Sequence, residues 1–125
     1  MPTVAIIGAS ADRSKFGNKS VRAHAQAGYQ VYPVNPRETE IEGWPVFRSI
    51  LDVPESVLDR VSMYLPESLA LSVLPDIATK QVDEVWFNPG ADGAAVLKRA
   101  RELGLNVVAG CSIVDLGIYP EELAD

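Results

Sequence analysis

The chain is poor in the residues that build disulfide frameworks and metal centres. Among its 125 residues it has one cysteine, Cys111, and one histidine, His24. A single cysteine excludes an internal disulfide and a cysteine zinc cluster. The acidic residues also lack the spacing of a cation-binding loop. We therefore predict no metal site, and we expect the cytoplasm as the compartment.

Long apolar runs are also missing. The chain has no stretch of about 18 apolar residues, so no membrane span is predicted. The opening MPTVAII lacks the basic segment of a signal peptide. The net charge of −6 argues against a general nucleic-acid surface. With 47% apolar residues, the length predicts a single domain, residues 1–125, with one hydrophobic core.

The charges are unevenly distributed along the chain. Residues 1–37 contain five basic residues and one acidic residue, whereas residues 38–125 contain six basic and sixteen acidic residues. A small basic region on an acidic protein suits a compact polyanion better than a duplex. A nucleotide diphosphate is such a polyanion.

Strand and helix patterns alternate along the chain. Apolar runs predict strands, and amphipathic segments between them predict helices. The predicted strands are 3–9, 30–34, 60–65, 84–87 and 106–109, and the predicted helices are 18–27, 66–79 and 92–103. Residues 36–57 are expected to be irregular, and Pro75 is expected to kink or break the second helix.

This alternation predicts an α/β fold with a doubly wound, five-stranded, mainly parallel sheet and helices on both faces, which is a Rossmann-like arrangement. Ligands of such sheets bind beyond the carboxyl ends of the strands. Small, polar or turn-forming residues follow every predicted strand at that end. We therefore expect the binding site there.

The turn after the first strand differs from the two common nucleotide fingerprints. Counting from Gly8, the next two glycine positions of a dinucleotide-binding turn hold Ser10 and Arg13, and no Walker A lysine motif follows. The longer loop nevertheless offers amide N–H groups, hydroxyls and Lys15 ahead of a helix, which is an arrangement that attracts anions. The alternative is that Ser10 and Ser14 only cap the helix and that Lys15 is solvated.

The end of the second strand limits the choice of nucleotide. NAD-binding domains usually place an acidic residue there to bind the ribose hydroxyls, but this chain has Asn35, with Arg37 nearby. An amide and a guanidinium tolerate the ribose 3′-phosphate of coenzyme A. They tolerate the 2′-phosphate of NADP equally well, so charge alone leaves both ligands open.

The segment IIGASADRSKFGNKSVRAHAQAGYQVYPVNPRETEIEGWPVF resembles the opening of the small coenzyme A-binding proteins. These are Rossmann-like domains related to the CoA-binding domain of the succinyl-CoA synthetase alpha subunit. The GAS loop, the S-K-x-G step, the G-Y-x-V-x-P-V-N-P strand and the E-I-x-G turn carry the resemblance. It continues through residues 65–68, 85–90 and 105–108. The sequence departs from the family pattern after the fourth strand and at Gly110.

The resemblance implies coenzyme A as the cofactor and a set of contacts to it. The pyrophosphate would lie on the loop after the first strand, the adenosine at the end of the second strand, and the rest of the ligand beside the third and fourth strands. The implied residues are Gly8, Ala9, Ser10, Ser14, Lys15, Asn35, Pro36, Pro66, Glu67 and Gly90.

No residue is predicted to be catalytic. His24 lies within a helix pattern, where a packed or surface histidine is expected. Cys111 follows the last strand and is expected to be a small turn residue, although a thiol there could form a mixed disulfide with a thiol ligand. Glu67 is expected to be a first-turn helix acid or a ligand contact.

We therefore predict a protein that binds CoA or an acyl-CoA without catalytic machinery of its own. One alternative is a small NADP-binding oxidoreductase or redox-sensing module. Another is a subunit that lends its nucleotide fold to an acyl-CoA enzyme. The sequence predicts neither nucleic-acid nor membrane partners, and it leaves open whether the chain forms a homodimer.

Overall fold

Five strands form one sheet in which every neighbouring pair is parallel. The computed structural model describes residues 1–125. In chain order the strands of this sheet are β1 (Thr3–Ile7), β2 (Gln30–Val34), β5 (Val57–Met63), β6 (Gln81–Phe87) and β7 (Val107–Ala109). Across the sheet the order is β2-β1-β5-β6-β7. The direction of strand connection therefore reverses between β1 and β5, which is where ligands bind in doubly wound sheets.

Four α-helices cover the sheet. They are α1 (Phe16–Gln26), α2 (Glu67–Ile77), α3 (Ala94–Glu102) and the short α4 (Ser112–Asp115). Helices α2 and α3 pack together on one face, and α1 and α4 pack together on the other. The predicted Rossmann-like α/β fold is thereby confirmed. None of the helices has the length and apolar character needed to cross a membrane.

One local prediction was wrong, and the break considered at Pro75 does not occur. Residues 40–45 were expected to be irregular, but they form a hairpin of β3 (Glu40–Ile41) and β4 (Trp44–Pro45). The two strands are very short, and burial of the Ile41 side chain holds them against the fold. Pro75 does not break α2, which continues to Ile77. Pro75 removes only one helical hydrogen bond near the end of the helix, and Leu74 and Ile77 are fully buried beside it.

The two faces of the sheet differ in polarity. The α2–α3 face carries the larger hydrophobic cluster, built from side chains such as Val61, Met63 and Phe87. The α1–α4 face has a smaller apolar cluster and several fully or almost fully buried polar side chains. These are Asn18, Ser20, His24, Arg60, Ser62, Asn88 and Ser112.

Strand β2 lies at one edge of the sheet and contains Pro33, which has no amide hydrogen to donate. The Pro33 carbonyl oxygen accepts a hydrogen bond from the amide of Phe47, and the Phe47 carbonyl accepts one from Asn35. Part of this edge is therefore already paired.

The start of α1 is packed directly against the end of β1. A Cβ atom added to Gly17 would lie 2.2 Å from the carbonyl oxygen of Gly8. Gly8 itself has φ of +90°, and a Cβ there would lie 3.1 Å from the carbonyl carbon of Tyr64. Both positions therefore require glycine, Gly17 for space and Gly8 for space and backbone conformation.

We predict that Gly17→Ala lowers the free energy of unfolding by about 1–3 kcal/mol, because the methyl group overpacks a backbone contact that cannot yield cheaply. Urea denaturation of the unliganded protein measures this change. Gly110→Ala is the control, because its Cβ would meet only the Trp86 ring, at 3.5 Å. Equal unfolding midpoints for the two variants would contradict the prediction.

Candidate functional site

A groove runs across the carboxyl ends of the strands, and three adjoining cavities form it. The first has a volume of about 290 Å³, the second about 360 Å³ and the third about 60 Å³. Gly8 and Leu65 line both the first and the second cavity. Phe16, Tyr64 and Pro89 line both the second and the third. Such combined dimensions suit an extended small molecule.

The first cavity lies between the ends of β1 and β2 and the first turns of α2. Its wall is mainly apolar, with a few polar side chains. The lining residues are Ile7, Gly8, Val34, Pro36, Arg48, Ser49, Ile50, Leu65, Leu69, Ser72 and Val73. A mostly apolar group with a few polar atoms would fit this lining.

The second cavity lies over the turn between β1 and α1. Lys15, Phe16 and Gly17 form one side of it, and residues 64–66 and 89–91 form the other. The third cavity continues past Tyr64 to Asn88 and Cys111. The groove therefore leads from an apolar end, over a helix N-terminus, to a thiol.

Several backbone N–H groups of the β1–α1 turn have no hydrogen-bond acceptor within the chain. They belong to Ser10, Ala11, Arg13, Phe16 and Gly17. Helix α1 begins at Phe16, and the N–H groups of Phe16 and Gly17 in its first turn have no acceptor, whereas those of Asn18 and Lys19 donate to the Lys15 carbonyl oxygen. Unpaired N–H groups at a helix N-terminus bind phosphate or another anion.

The cationic side chains near the groove differ in availability. Lys15 and Arg48 line it, and neither forms an ion pair or a side-chain hydrogen bond. Arg13 lines none of the cavities, and its guanidinium is paired with Glu42. The Ser14 hydroxyl and amide hold the pKa of Asp12 below its usual value, so the loop also retains a negative charge.

The structure brings half of the predicted site residues to the groove. Gly8, Lys15, Pro36, Pro66 and Gly90 line its first two cavities. They come from four separate loops, each following a different strand of the sheet. Their convergence agrees with the general position of ligand sites in doubly wound folds.

The other predicted residues lie beside the groove without lining a cavity. Ala9 is buried, and the Asn35 amide donates a hydrogen bond to its carbonyl oxygen at 2.8 Å. The Ser10 hydroxyl accepts from the Asp12 amide, and the Ser14 hydroxyl donates to the Asp12 carboxylate. Glu67 is the acidic residue in the first turn of α2. Their contacts to a ligand stay predictions.

Sequence reasoning missed several residues that line the groove. Phe16, Arg48, Tyr64, Leu69 and Val73 are examples. Leu69 and Val73 are one helical turn apart, so the helical periodicity of α2 could have placed them on one face. Arg48 follows the unpredicted hairpin, and no sequence signal pointed from it to the groove.

The lone histidine lies on the opposite side of the β-sheet from the larger core and away from the groove. His24 is fully buried. Its Nδ1 lies 2.8 Å from the Ser20 carbonyl oxygen, so Nδ1 is assigned the proton, and Nε2 faces Arg60 at 3.5 Å. Burial, followed by the nearby Arg60 charge, lowers the pKa of His24 to about 4. His24 therefore has no route to a ligand in the groove.

The thiol of Cys111 is half-buried and lines the third cavity. The Tyr64 phenol beside it has a raised pKa, because burial disfavours its anion. No group of three or more histidine, cysteine, aspartate or glutamate side chains is placed to hold a metal ion.

The sequence matches the family model described as the CoA binding domain over residues 2–117. The protein belongs to the CoA binding domain family. Coenzyme A is therefore the cofactor of this CoA-binding protein.

Curated relatives of this CoA-binding protein are much longer enzymes. The alpha subunit of ADP-forming acetate–CoA ligase I from Pyrococcus furiosus is 35% identical over 137 residues, covering 97% of this chain and 29% of the subunit. ADP-forming acetate–CoA ligase from Methanocaldococcus jannaschii is 32% identical over 95 residues, covering 76% of this chain and 12% of the ligase. The chain thus spans less than a third of either relative.

Solved structures share the fold. A Thermus thermophilus protein has a TM-score of 0.82 at 32% identity, with 91% of this chain and 87% of that one covered. A hypothetical protein from Pyrococcus horikoshii has a TM-score of 0.82 at 28% identity, with coverages of 96% and 82%. The dinucleotide-forming acetyl-coenzyme A synthetase 1 of Candidatus Korarchaeum cryptofilum matches over 85% of this chain and 25% of its own, with a TM-score of 0.73 at 26% identity.

We predict that His24 makes the fold acid-sensitive. Its pKa is about 4 in the folded protein against an ordinary value of 6.5, so the unfolded chain takes up the proton first as the pH falls. The free energy of unfolding should therefore decrease from about pH 6.5 to about pH 4, by up to about 3 kcal/mol. Urea titrations across this range measure the decrease.

The comparison for this prediction is His24→Gln, which cannot titrate. The pH profile of this variant should be flatter in the same range, whereas contributions from carboxylates should be common to both proteins. Parallel profiles for the two proteins would show that His24 is not the group responsible.

Proposed function

We propose that this protein is a CoA or acyl-CoA binding module, with the ligand extended along the three cavities. The adenosine would occupy the first cavity and the diphosphate would lie on the β1–α1 turn. The pantetheine arm would follow the second and third cavities, with its thiol end towards Cys111. The observation that carries this assignment is the set of unpaired N–H groups at the turn, with Lys15 beside them.

The exposed apolar side chains support the same arrangement. Phe16 is 55% exposed and Leu69 is 52% exposed, although both are large and hydrophobic. Each lines a cavity of the groove. An extended ligand with apolar portions would cover both side chains, and ligand binding therefore accounts for their exposure.

We prefer a binding role to a catalytic role for this protein. The histidine is fully buried away from the groove, and the nucleophilic thiol of Cys111 has no neighbouring base along the third cavity. In the two ligase relatives, the region that matches this protein occupies less than a third of the relative's own length. An acyl-CoA enzyme as partner, and the cytoplasm as compartment, belong to this proposal.

Arg48 is proposed to bind the ribose 3′-phosphate. It lines the first cavity together with Pro36 and has no carboxylate partner. An unpaired guanidinium beside an adenosine site offers a charge-assisted hydrogen bond to a phosphate. The same charge would also accept NADP, so ligand ranking has to be measured.

We predict that isothermal titration calorimetry ranks CoA above dephospho-CoA, NADP and ATP. Arg48→Ala should weaken CoA binding by about ten- to a hundredfold and abolish the preference over dephospho-CoA, because one charge-assisted hydrogen bond is worth about 1.5–3 kcal/mol. Lys15→Ala should weaken CoA and dephospho-CoA alike, since both contain the diphosphate.

Lys98→Ala and Arg101→Ala are the matched controls, because both side chains are exposed on α3 and neither lines a cavity of the groove. They remove the same charge and should leave the affinities nearly unchanged. Equally weak binding of all four ligands to the unmodified protein would contradict the proposed function. Equal losses in the controls would show that only net charge matters.

A further inference from the structure

The tip of the β3–β4 hairpin contains a residue in an unfavourable backbone conformation. Glu42 has φ of +51° and is the only non-glycine residue with positive φ. It precedes Gly43, at φ +82°, in a two-residue turn between Ile41 and Trp44. Such turns favour asparagine or glycine at the Glu42 position, because a Cβ is disfavoured there. A glutamate that remains there indicates a role for its side chain.

Both carboxylate oxygens of Glu42 are engaged with the phosphate-loop region. Oε1 forms an ion pair with the Arg13 guanidinium. Oε2 accepts a hydrogen bond from Nδ2 of Asn18, on the first turn of α1, at 3.2 Å. The hairpin is itself anchored, because Ile41 is buried in the α1-side cluster with Trp44 packed against it. Glu42 therefore connects the loop to a fixed part of the fold.

Asn18 extends this connection to the backbone of the loop. It is fully buried, and its Nδ2 also donates to the Ser10 carbonyl oxygen at 3.0 Å. Its Oδ1 accepts from Nε of Arg22 at 2.7 Å, and Nη2 of Arg22 donates to the Arg13 carbonyl oxygen at 2.9 Å. Two loop carbonyls, those of Ser10 and Arg13, are thus held by side chains of α1, while the N–H groups of Ser10, Ala11 and Arg13 have no partner within the chain.

We propose that Glu42 is a positioning residue that holds the phosphate loop in its binding conformation before the ligand arrives. Its carboxylate fixes Arg13 and Asn18, and through them the segment from Ser10 to Gly17. The inference rests on the proposed function, because the loop must bind the CoA diphosphate for its order to matter. An ordered loop binds more tightly, since less conformational entropy is lost on binding.

This role predicts that affinity falls without a fall in stability. Glu42→Gly removes the side chain and relieves the positive-φ backbone, so the urea midpoint should stay the same or rise. The same variant frees the loop, so the CoA dissociation constant should rise about tenfold. A simple loss of negative charge near an anionic ligand would instead strengthen binding.

Glu40→Gln is the charge control, because Glu40 is exposed on the same hairpin and has no ion pair. It should bind CoA as tightly as the unmodified protein or slightly more tightly. Glu42→Gln should be intermediate, because its single carbonyl oxygen cannot serve both Arg13 and Asn18. This graded order would not arise from a residue that only stabilises the hairpin.

Amide hydrogen exchange gives a readout without any ligand. The hydrogen-bonded loop amides, those of Asp12, Ser14 and Lys15, should exchange at least about tenfold faster in Glu42→Gly than in Glu40→Gln, while the central strands remain equally protected. Unchanged exchange and unchanged CoA affinity in Glu42→Gly would overturn the inference while leaving CoA binding intact. Failure of the unmodified protein and Glu40→Gln to bind CoA would instead overturn the proposed function, and this inference with it.

Discussion

The contact between Gly17 and the carbonyl oxygen of Gly8 is the constraint on which the site depends. It lets the first turn of α1 lie directly on the end of β1, with no side chain between them. Gly8 is also packed against the backbone at Tyr64, beyond the end of β5. Three elements therefore meet at the point where the sheet reverses its winding. The Phe16 and Gly17 amides, which have no acceptor within the chain, belong to the helix turn packed at this point.

The polar α1–α4 face of the sheet shapes the third cavity, which is the end of the groove at Cys111. The amide nitrogen of Asn88 donates to the Ser62 hydroxyl at 2.9 Å and to the Met63 carbonyl oxygen at 3.0 Å. Its amide oxygen accepts from the backbone and the hydroxyl of Ser112. One side chain thus links β5, the end of β6 and α4. Because Ser112 follows Cys111, this network also fixes the position of the thiol.

The buried Arg60 belongs to the same face and shows how a charge is accommodated there. Its guanidinium lies 2.7 Å from the Asp115 carboxylate and is stacked near the Trp86 ring at 4.8 Å. Glu84 lies at 3.4 Å. Removing Asp115 alone would leave a buried cation with reduced compensation, which is usually more damaging than replacing the whole pair. The arrangement joins α4 to the centre of the sheet.

The order of elements and the general position of the groove could be predicted from the sequence, because buried strands and amphipathic helices leave strong periodic patterns. The β1–α1 turn was recognised for the same reason, through Gly8, Lys15 and the preceding strand. The hairpin could not be predicted, since its two strands have only two residues each and depend on the burial of Ile41. Arg48 was missed with it. The pairing of Arg13 with Glu42 depends on tertiary contact across 29 positions, for which no local pattern exists.

Pro33 has an effect on intermolecular behaviour as well as on the fold. At Pro33 the β2 margin of the sheet has no N–H donor, and the Pro33 carbonyl oxygen already accepts a hydrogen bond from the Phe47 amide. The opposite margin is β7, which offers only three residues. Fibrillar aggregation requires strands to add repeatedly at exposed margins. A sheet with one blocked margin and one very short margin is a poor template for such growth, so this chain should tolerate high concentration without forming cross-β assemblies.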